Sequence, residues 1–446
     1  MSETPERVSW GRAHPVREEI VRPLWRGDAI AAVARRDGER VLGRGLARSY
    51  GDSCLNDGGT IVDMTAMDRL LAFDAATGIL SCEAGVTLDA LMLWLRGLAV
   101  GGGPCWLPAV APGTRFVTVG GAIANDVHGK NHHAFGTFGE HVLDIDLARS
   151  DGSVVTCAAG SDLFHATVGG MGLTGLILAA RIQLRRVESL WLDSEDIAMA
   201  NLDAFFALSE ESSSEWEYTV AWFDSLATGE ARGRGIFTRA RHVASTRTPP
   251  KLAPPRLGVP FAPPISPVRP LSARLFNFAY GHRLLGKERV RRVLPFYGGL
   301  FPLDGIANWN RLYGKAGFYQ YQCVVPKESA RATSAALLDR IAGSGAGSFL
   351  TVLKTFAARP AAGLMSFPME GTTLALDFPN RGAETLALLD SLDALAADAG
   401  GRIYPAKDGR VSREHYRAAY PGLTRFETFI DPGFSSGFAR RVGIAA

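Results

Sequence analysis

A glycine-rich run limits most strongly what this chain can fold into. Gly170, Gly172 and Gly175 satisfy the pattern G-x-G-x-x-G, which in dinucleotide-binding folds follows a strand and opens a helix. Here the order is reversed, because the helix-like stretch Ser161 to Val168 precedes the run and the strand-like stretch Leu176 to Leu184 follows it. The order therefore argues against a Rossmann fold and against an NAD dehydrogenase.

Length and charge narrow the class of protein. A chain of 446 residues is longer than a single hydrophobic core usually serves, so we expect two domains. The hydrophobic fraction of 47% and the charged fraction of 21% are ordinary for a soluble globular enzyme. The formal net charge of +3 lacks the basic footprint of a nucleic-acid-binding protein, so no nucleic-acid partner is expected.

The cysteines and the apolar runs indicate the compartment. The five cysteines are odd in number and widely spaced, which favours free thiols in a reducing compartment over a disulfide framework. The first twenty residues contain no apolar core of a signal peptide, and no run of about eighteen apolar residues follows. We expect a cytoplasmic protein and leave peripheral contact with a membrane open.

The texture of the chain changes near residue 190. Before that point the chain is rich in glycine and short strand-like runs, and after it longer alternating segments appear. An Asp-Gly turn between Asp144–Arg149 and Val154-Val155 predicts a hairpin. The other main predicted elements are helices over Thr87–Leu98 and Glu384–Ala397 and strands over Trp216–Trp222, Phe318–Val325, Phe349–Phe356 and Thr372–Phe378.

Residues 248–270 form a proline-dense segment, TPPKLAPPRLGVPFAPPISPVRP. Such a segment cannot be a central strand or a helix, because proline lacks the backbone donor that both require. Basic residues alternate in it with leucine and phenylalanine. The segment is either a mobile lid or a solvated linker, and the sequence does not separate these readings.

The first candidate site is the glycine-rich loop from Gly43 to Asp52, which follows the strand residues Val41-Leu42. Glycines let consecutive backbone N–H groups approach an anion closely and surround a phosphate. Arg44 and Arg48 would add charge-assisted donors. By itself such a loop is more often a tight surface turn than a binding site.

The second candidate site joins Pro112-Gly113-Thr114 to the small-residue stretch Val119–Gly139. A flat heteroaromatic ring and a pyrophosphate can pack closely only against such a surface. A metal site is the competing reading, since His128 and His132 are four residues apart. Glycine and asparagine between them disfavour a helix, and no nearby Cys or Glu offers a third ligand, so no metal is predicted.

The third candidate site is the loop Tyr404–Asp408 near the C-terminus. A lone lysine such as Lys407 is usually a solvated surface charge. In a loop framed by glycine and proline it could instead lie over a cofactor, where its cation would stabilise the negative charge that develops on a reduced flavin.

Taken together, these segments resemble the FAD-binding fold of the vanillyl-alcohol oxidase type. More narrowly, they are similar to the decaprenylphosphoryl-β-D-ribose 2′-oxidase family. The segments occur in the family's order and span most of the chain from about residue 41. The phrases that carry the resemblance are GRGLARSYGD, LPAVAPGTRFVTVGGAIANDVHGKNHHAFGTFG, LFHATVGGMGLTGLI, AWFD, YGKAGFYQYQ and YPAKDGR.

The resemblance implies an α+β fold with a two-part PCMH-type FAD-binding domain and a substrate domain built on an antiparallel sheet. Residues 1–190 would form the N-terminal part of the FAD domain. Residues 191–400 would form the substrate domain, with 248–270 as its mobile segment. Residues 401–446 would return to the FAD domain.

The resemblance and the loops above assign three sets of site residues. The catalytic candidates are Lys407 and His128. The substrate-side candidates are Tyr313, Gln320, Gln322, Lys354, Thr373 and Lys407. The cofactor candidates are Arg44, Gly45, Arg48, Ser49, Tyr50, Gly51, Asp52, Pro112, Gly113, Thr114, Thr118, Gly120, Gly121, Asn125, His128, Gly129, Asn131, His132, Gly136, Gly172, Thr174, Gly175, Tyr404 and Lys407.

Two positions differ from relatives in ways that matter. Many proteins on this fold carry a histidine that bonds covalently to the flavin, and Arg48 stands at that position, so non-covalent FAD is expected. Several family members read Trp-Asn-Ile-Cys where this chain reads Thr372 to Ala375. Loss of the cysteine does not threaten the reaction class, but the changed polar group at Thr373 affects how the substrate fits.

The resemblance implies oxidation of the 2′-hydroxyl of decaprenylphosphoryl-β-D-ribose, or a similar polyprenyl-phosphate sugar, to a 2′-keto sugar. A partner short-chain reductase would then complete an epimerisation to the arabinose donor of cell-wall arabinan. The base that takes the hydroxyl proton is not identified; His128 is a candidate through its near-neutral titration, and Lys407 suits charge stabilisation. The alternatives are a soluble alditol or aldonolactone oxidase and a flavin-binding protein without turnover.

Overall fold

A computed structural model describes residues 6–34, 38–252 and 254–444 of the chain. Its strands are β1 (Glu19–Val21), β2 (Val41–Arg44), β3 (Thr60–Asp63), β4 (Leu70–Asp74), β5 (Ile79–Glu83), β6 (Trp106–Pro108), β7 (Val142–Ala148), β8 (Val154–Ala158), β9 (Leu176–Arg186), β10 (Trp191–Met199), β11 (Tyr218–Phe223), β12 (Gly235–His242), β13 (Leu257–Gly258), β14 (Arg289–Pro295), β15 (Ile306–Ala307), β16 (Phe318–Pro326), β17 (Thr351–Phe356), β18 (Gly371–Pro379) and β19 (Arg402–Ile403).

The α-helices lie between some of these strands and after the last of them. They are α1 (Arg26–Val33), α2 (Leu88–Val100), α3 (Val119–Ala124), α4 (His132–Phe135), α5 (Asp162–Thr167), α6 (Leu202–Ser212), α7 (Pro270–Gly281), α8 (Phe296–Leu300), α9 (Ala330–Ser344), α10 (Ala383–Asp398), α11 (Arg413–Ala419), α12 (Leu423–Glu427) and α13 (Gly437–Val442).

The N-terminal part contains two sheets. A small parallel sheet has the order β1-β3-β2, and an antiparallel sheet has the order β4-β5-β9-β7-β8 with β6 attached to β9. One apolar cluster joins both sheets to α1 and α2. Helix α2 begins after Thr87, whose side chain accepts a hydrogen bond from the backbone of Ala90 at 3.1 Å, as its sequence predicts.

An eight-stranded antiparallel sheet dominates the rest of the chain, in the order β14-β10-β12-β11-β17-β18-β16-β19. Successive side chains of a strand point to opposite faces. On β16 and β18, Cys323, Val325, Leu374 and Leu376 belong to the apolar cluster that includes residues of α9 and α10. The alternate positions of the same strands therefore face away from these helices, and they include the polar residues Gln320, Gln322, Thr373 and Asp377.

The C-terminal residues contact both parts of the molecule. Strand β19 adds to the edge of the eight-stranded sheet beside β16. Farther on, the backbone of Val41 donates to the Gly433 carbonyl at 2.8 Å, and Ser435 donates to the Val41 carbonyl at 3.0 Å. The end of the chain thus lies against the strand that opens the first glycine-rich loop.

The mixed α+β fold with an antiparallel sheet confirms the predicted fold class. The predicted hairpin is confirmed as β7 and β8, and α5 before the glycine run with β9 after it confirms the reversed order. Among the described residues of the proline segment, regular structure is limited to the two-residue β13 and to Pro270, where α7 begins; Ala253 lies outside the described residues. All five cysteines are free thiols, and no described helix is both long and apolar enough to cross a membrane.

Candidate active site

Chain segments far apart in sequence meet where the first glycine-rich loop ends. The Tyr50 backbone donates to the Ala406 carbonyl at 2.9 Å. A β-carbon at Gly51 would lie 1.7 Å from the Asp408 carbonyl oxygen, and one at Gly45 would lie 2.2 Å from the Thr118 hydroxyl oxygen. A side chain has no room at either position, because the Asp408 backbone fills the space at Gly51 and the Thr118 side chain fills it at Gly45.

The first glycine-rich loop presents free backbone donors. Within the described chain, the N–H groups of Gly45 to Ser49 donate to no protein acceptor. Ala47 has a φ of 50°, so the loop turns sharply there. The guanidinium of Arg48 stacks over the Trp10 ring at 4.0 Å, whereas Arg44 is paired with the buried Glu18. Consecutive free N–H groups of this kind fit the diphosphate of FAD, while Arg44 holds the loop in place.

Several side chains of the second candidate site form hydrogen bonds with nearby backbone groups. Thr118 caps α3 by accepting from the Gly121 backbone at 3.2 Å. The Asn131 side chain donates to the Ala109 carbonyl at 2.7 Å and accepts from the Ala111 backbone at 3.2 Å. These contacts fix the path of the loop on which the two histidines lie.

The side chain of His128 is enclosed by aromatic rings and by the eight-stranded sheet. The Gln322 amide donates to its Nε2 at 2.9 Å, so the proton of the neutral ring is on Nδ1, which has no protein partner. Burial and the charge of Lys354 lower the pKa of His128 well below its ordinary value. The near-neutral titration predicted for His128 does not agree with this, since burial and the charges of Lys354, His132 and Lys407 all lower its pKa.

His132 shares this environment. Its ring lies 4.3 Å from that of Phe356, and its Nδ1 also lacks a protein partner. Burial first, then Lys354, lowers the pKa of His132 to about 3. No three His, Cys, Asp or Glu side chains among the described residues are arranged to hold a metal ion. Two neutral imidazoles with unpartnered nitrogens suit hydrogen bonding to an organic ligand.

One face of the eight-stranded sheet supplies the polar floor of the site. Gln320 pairs in register with Asp377, and its amide donates to that carboxylate at 2.6 Å. The Gln322 amide donates to the Thr373 hydroxyl at 3.2 Å. Lys354 lies opposite Thr373 on the neighbouring strand. Antiparallel pairing thus brings four of the six substrate-side candidates onto one surface, because directly opposed residues share a face.

Lys407 lies above this floor. Its Nζ is 3.8 Å from the centroid of the Tyr50 ring, and burial lowers its pKa to about 7, although the charge of Asp377 acts to raise it. The fifth substrate-side candidate, Tyr313, stacks on Phe318 at 4.1 Å, and its hydroxyl donates to Asp377 at 3.5 Å. The lysine is therefore not a solvated surface charge.

Asp377 is a functional candidate that the sequence analysis missed. It is fully buried, and burial raises its pKa to about 7, against the opposing effects of the Gln320 hydrogen bond and the charge of Lys407. The signal was present in the alternation of Thr373, Ala375 and Asp377 along β18. Only the register with β16 shows that this alternation faces the site.

Lys130 was also missed. It is partly buried, its ammonium donates to the Leu300 carbonyl, and burial lowers its pKa to about 8. Lys354, whose Nζ donates to the Gly129 carbonyl at 3.5 Å, has a pKa lowered to about 7 by burial and by Lys130. With Lys407, three partly buried lysines surround the site. Such a concentration of positive charge suits an anionic ligand.

Several other cofactor candidates are engaged within the protein. Thr114 donates to Asp304 at 2.6 Å, and Asp52 is bound by Arg441 at 2.8 Å. The Thr174 hydroxyl lies 3.0 Å from that of Thr167, inside the core. Gly172 and Gly175 have φ values of 76° and 141°, and Gly136 has a φ of 65°. These residues shape the surrounding loops.

The remaining candidates line or adjoin the same region. The Tyr404 hydroxyl donates to the Asn125 carbonyl at 2.9 Å, and the Tyr404 ring lies 5.1 Å from that of His128. Gly120 packs against Ala84, where a β-carbon would lie 2.9 Å from the alanine side chain. Pro112 is buried and the adjacent Gly113 is exposed, at the outer edge of the second site.

Comparison with known proteins adds to this geometry. A family model described as an FAD binding domain matches residues 28–158. The chain is 37% identical to decaprenylphosphoryl-β-D-ribose oxidase of Mycolicibacterium smegmatis, over 98% of this chain and 97% of the relative. It is 35% identical to an uncharacterised protein in the mprA 5′ region of Streptomyces coelicolor, over 76% of this chain and 96% of that protein.

A more distant relative shares only part of its length. L-gulono-1,4-lactone dehydrogenase of Mycobacterium tuberculosis is 31% identical over 37% of this chain and 37% of its own. The match to the ribose oxidase covers the glycine-rich segments, the polar sheet face and the C-terminal loop. The match to the lactone dehydrogenase is too short to cover all three.

Proposed function

Because this chain belongs to the decaprenylphosphoryl-β-D-ribose oxidase family, we propose that it oxidises the 2′-hydroxyl of decaprenylphosphoryl-β-D-ribose to the 2′-keto sugar. A closely similar polyprenyl-phosphate sugar would be oxidised in the same way. The chain is an FAD-dependent oxidoreductase. The observation that carries the proposal is the meeting of Lys407, Asp377 and Gln320 beside the glycine-rich loops, within a chain related to the oxidase over its whole length.

When bound, FAD supplies a ring system that accepts the hydride from the substrate carbon. The free N–H groups of Gly45 to Ser49 would hold its diphosphate, and the small-residue surface of α3 would leave room for its flat ring. Lys407 and the two neutral histidines would adjoin that ring. The free N–H groups of the loop and the unpartnered Nδ1 atoms of His128 and His132 support these assignments.

Oxidation of the hydroxyl removes its proton as well as a hydride from the same carbon, and the C–O bond becomes C=O. We assign the proton to the carboxylate of Asp377, whose raised pKa of about 7 makes it a competent base at neutral pH. His128 is less suited, because its Nε2 already accepts from Gln322. Its Nδ1–H would instead donate a hydrogen bond. The ammonium of Lys407 would stabilise the negative charge that arrives with the hydride.

The substrate would be held through its charge and its hydroxyl groups. Lys354 and Lys130 are partly buried lysines next to the polar sheet face, and an anionic phosphate would compensate their charge. Gln322 and Thr373 can exchange hydrogen bonds with sugar hydroxyls. The threonine, which stands where several relatives carry asparagine, is where we expect substrate preference to differ.

We also propose the two-domain organisation predicted from the sequence, with residues 1–190 and 401–446 forming the FAD domain around the substrate domain 191–400. Support comes from the pairing of Val41 with the chain near Gly433 and from the bridge between Arg441 and Asp52. Strand β19 pairs with β16 at the edge of the large sheet, so in this division the returning segment would also add to the substrate domain.

The product implies a partner reaction. A 2′-keto sugar must be reduced to give the arabino epimer, so a short-chain keto-sugar reductase would consume it. Because a polyprenyl-phosphate substrate resides in a membrane, we propose that the enzyme works at a membrane surface.

The test is anaerobic mixing of the FAD-loaded protein with decaprenylphosphoryl-ribose while flavin absorbance is recorded. Rapid bleaching supports the proposal. Bleaching by free alditols or aldonolactones but not by the lipid-linked sugar would indicate a soluble sugar oxidase. No bleaching by any of them would indicate a flavin-binding protein without turnover.

A further inference from the structure

The segment from Arg247 to Lys287, which we call the basic apolar segment, has an unusual charge distribution. Between Glu230 and Glu288 the chain contains no acidic residue, although it carries eleven Lys and Arg residues and the whole protein has a net charge of only +3. In the described structure, six of these basic side chains are exposed and form no ion pair with an acid: Arg247, Lys251, Arg256, Arg269, Arg274 and Lys287.

The same segment concentrates exposed apolar surface. Eight of the sixteen large hydrophobic side chains that are exposed in the described protein lie within it. Seven of the eight are more than half exposed. They are Leu257 69%, Phe261 68%, Ile265 68%, Leu271 69%, Leu275 64%, Phe276 37%, Phe278 64% and Leu285 87%. Scattered exposed leucines are ordinary, but a cluster of this size marks an interaction surface.

Helix α7 presents its apolar stripe outward. Leu271, Leu275 and Phe278 follow at spacings of four and three, so they share one face of the helix, and Arg274 lies on the same face. The opposite face is the one that contacts the protein, with Ala273 and Asn277 buried. An ordinary surface helix has the reverse arrangement, with apolar residues inward and polar residues outward.

The helix is firmly attached through its other residues. The buried Asn277 amide donates to Asp224 at 2.8 Å, and Trp222 contacts the rings of Phe276 and Tyr280, the latter at 4.7 Å. Pro270 occupies its first turn, where proline is favoured. The outward stripe is therefore a fixed feature of the fold, and removing its side chains should not unfold the helix.

The segment is also continuous with the active site. Val268 is buried in one cluster with Tyr50, Tyr313 and Phe318. Tyr50 lies under Lys407, and the Tyr313 hydroxyl reaches Asp377. The segment thus contacts, through Val268, residues that border the proposed reacting groups.

We propose that the basic apolar segment docks the enzyme onto an anionic lipid surface, with Leu271, Leu275 and Phe278 entering the interface and the unpaired basic side chains contacting lipid phosphates. Apolar side chains can enter the interface of any lipid surface, but the unpaired basic side chains between them favour an anionic surface over an uncharged one. A second copy of this chain fits poorly, because two equally basic segments would repel each other. The proposal rests on the proposed function only in that the polyprenyl substrate resides in the same membrane.

The test is co-sedimentation of the full-length, FAD-loaded protein with vesicles. Binding to vesicles of phosphatidylcholine mixed with phosphatidylglycerol should exceed binding to phosphatidylcholine alone by about tenfold or more. It should weaken as salt is raised, since charge attraction is screened within about 3 Å at 1 M salt. The variant L271S/L275S/F278S should lose about tenfold or more of the binding to anionic vesicles.

Matched control variants distinguish binding through this surface from non-specific binding of the protein to vesicles. L71S/L93S removes two hydrophobic side chains that are 55% and 53% exposed elsewhere, and it should bind like the wild type. R274E/K287E should weaken binding to anionic vesicles, whereas R40E/R340E, which changes two exposed arginines elsewhere, should weaken it much less.

Several results would overturn the proposal. Equal binding to both vesicle types, or equal loss in the triple variant and in L71S/L93S, would do so. A wild-type dimer in sedimentation that L271S/L275S/F278S dissociates would assign the surface to a second copy. Turnover of detergent-dispersed substrate is measured in parallel. Turnover without vesicle binding refutes docking alone, and vesicle binding without turnover refutes the proposed function alone.

Discussion

Lys407 and Asp377 illustrate how burial changes the chemistry of single residues. An exposed lysine has a pKa above 10 and an exposed aspartate one near 4. Here burial brings the pKa of each to about 7, and the charge of each opposes the shift of the other. The two groups titrate as a coupled pair in the pH range where the enzyme would work. Either can gain or lose a proton there at little cost.

We predict that Lys407→Ala slows flavin reduction by about 10²-fold or more while FAD is retained, by analogy with the loss of one oxyanion donor. The reason is that a fixed cation in a dry site stabilises developing negative charge far better than solvent does. Lys407→Arg should recover little, since a planar guanidinium places its charge differently. Stopped-flow reduction measures both variants.

The matched control is Lys327→Ala, an exposed lysine paired with Glu370 on the surface. It should reduce at the wild-type rate. A Lys407→Ala protein that keeps FAD and is reduced as fast as wild type would remove Lys407 from the mechanism and leave His128 as the next residue to test.

Asp377→Asn should lower the maximal rate of flavin reduction by about 10²-fold, the usual loss when a general base is removed. It should also shift the pH profile. Because the carboxylate raises the pKa of Lys407, its removal lets that pKa fall, so the decline of the rate at high pH should begin at lower pH. Reduction rates across pH, for variants loaded with FAD, measure both effects.

Asp393→Asn is the control for this prediction, because Asp393 is a buried carboxylate paired with Arg410, outside the site. It should lower stability and leave the midpoints of the pH profile in place. A profile of Asp377→Asn that falls uniformly without any shift would mean that Asp377 only supports the sheet.

Among the elements, the terminal helix α13 secures the join between distant parts of the chain. Arg441 donates to Asp52 at 2.8 Å and to Asp408 at 2.8 Å. Asp52 follows the first glycine-rich loop, and Asp408 follows Lys407. Burial acts to raise the pKa of Asp408, but the charges of Arg441 and Arg410 lower it overall, so its carboxylate is stabilised in the fold. One helix thus holds two loops of the active site together.

We expect Arg441→Ala to lower the free energy of unfolding by about 3 kcal/mol, because it leaves two largely buried carboxylates without their partner. The pKa of Asp408 is lowered in the folded protein. This contribution to stability is therefore fully present above the ordinary pKa of an aspartate, and it is lost as the pH falls through the lowered pKa of Asp408. Denaturant unfolding at fixed FAD concentration, repeated at neutral and acidic pH, measures the difference.

For comparison, Arg425→Ala removes an arginine whose pair with Asp162 is exposed, with the two side chains 58% and 64% accessible. Such a pair contributes about 1 kcal/mol or less. Equal losses in the two variants would contradict the role given to Arg441.

The mobility expected for residues 248–270 stays a prediction.

At the scale of the whole molecule, the cofactor would connect the glycine-rich loops, the polar sheet face and the C-terminal loop. We predict that it is held without a covalent bond, since Arg48 occupies the position where relatives on this fold carry a flavin-linking histidine. Its guanidinium lies over the Trp10 ring. Acid precipitation of the purified protein should release yellow FAD into the supernatant.

A control for this measurement is the same precipitation applied to a flavoprotein with a covalent histidyl link, which keeps its colour in the pellet. Flavin that stays with the pellet of this protein would contradict the prediction and would require a different attachment residue.

Much of the molecule could be read from local sequence. Glycine spacing, an Asp-Gly turn and caps such as Thr87 act over a few residues, so the hairpin of β7 and β8, helix α2 and the reversed order around Gly170 were predictable. The family resemblance then gave the fold class and the cofactor, because its long phrases occur in a fixed order.

What the sequence could not determine depends on contacts between distant residues. Asp377 joins the site only because β18 pairs with β16 in one register, and a slip by one residue would turn it to the opposite face. The neutral state of His128 and the lowered pKa of Lys407 arise from burial, which no local pattern encodes. The outward stripe of α7 was equally hidden, since its spacing is that of any amphipathic helix. Only packing decides which side of such a helix faces the solvent.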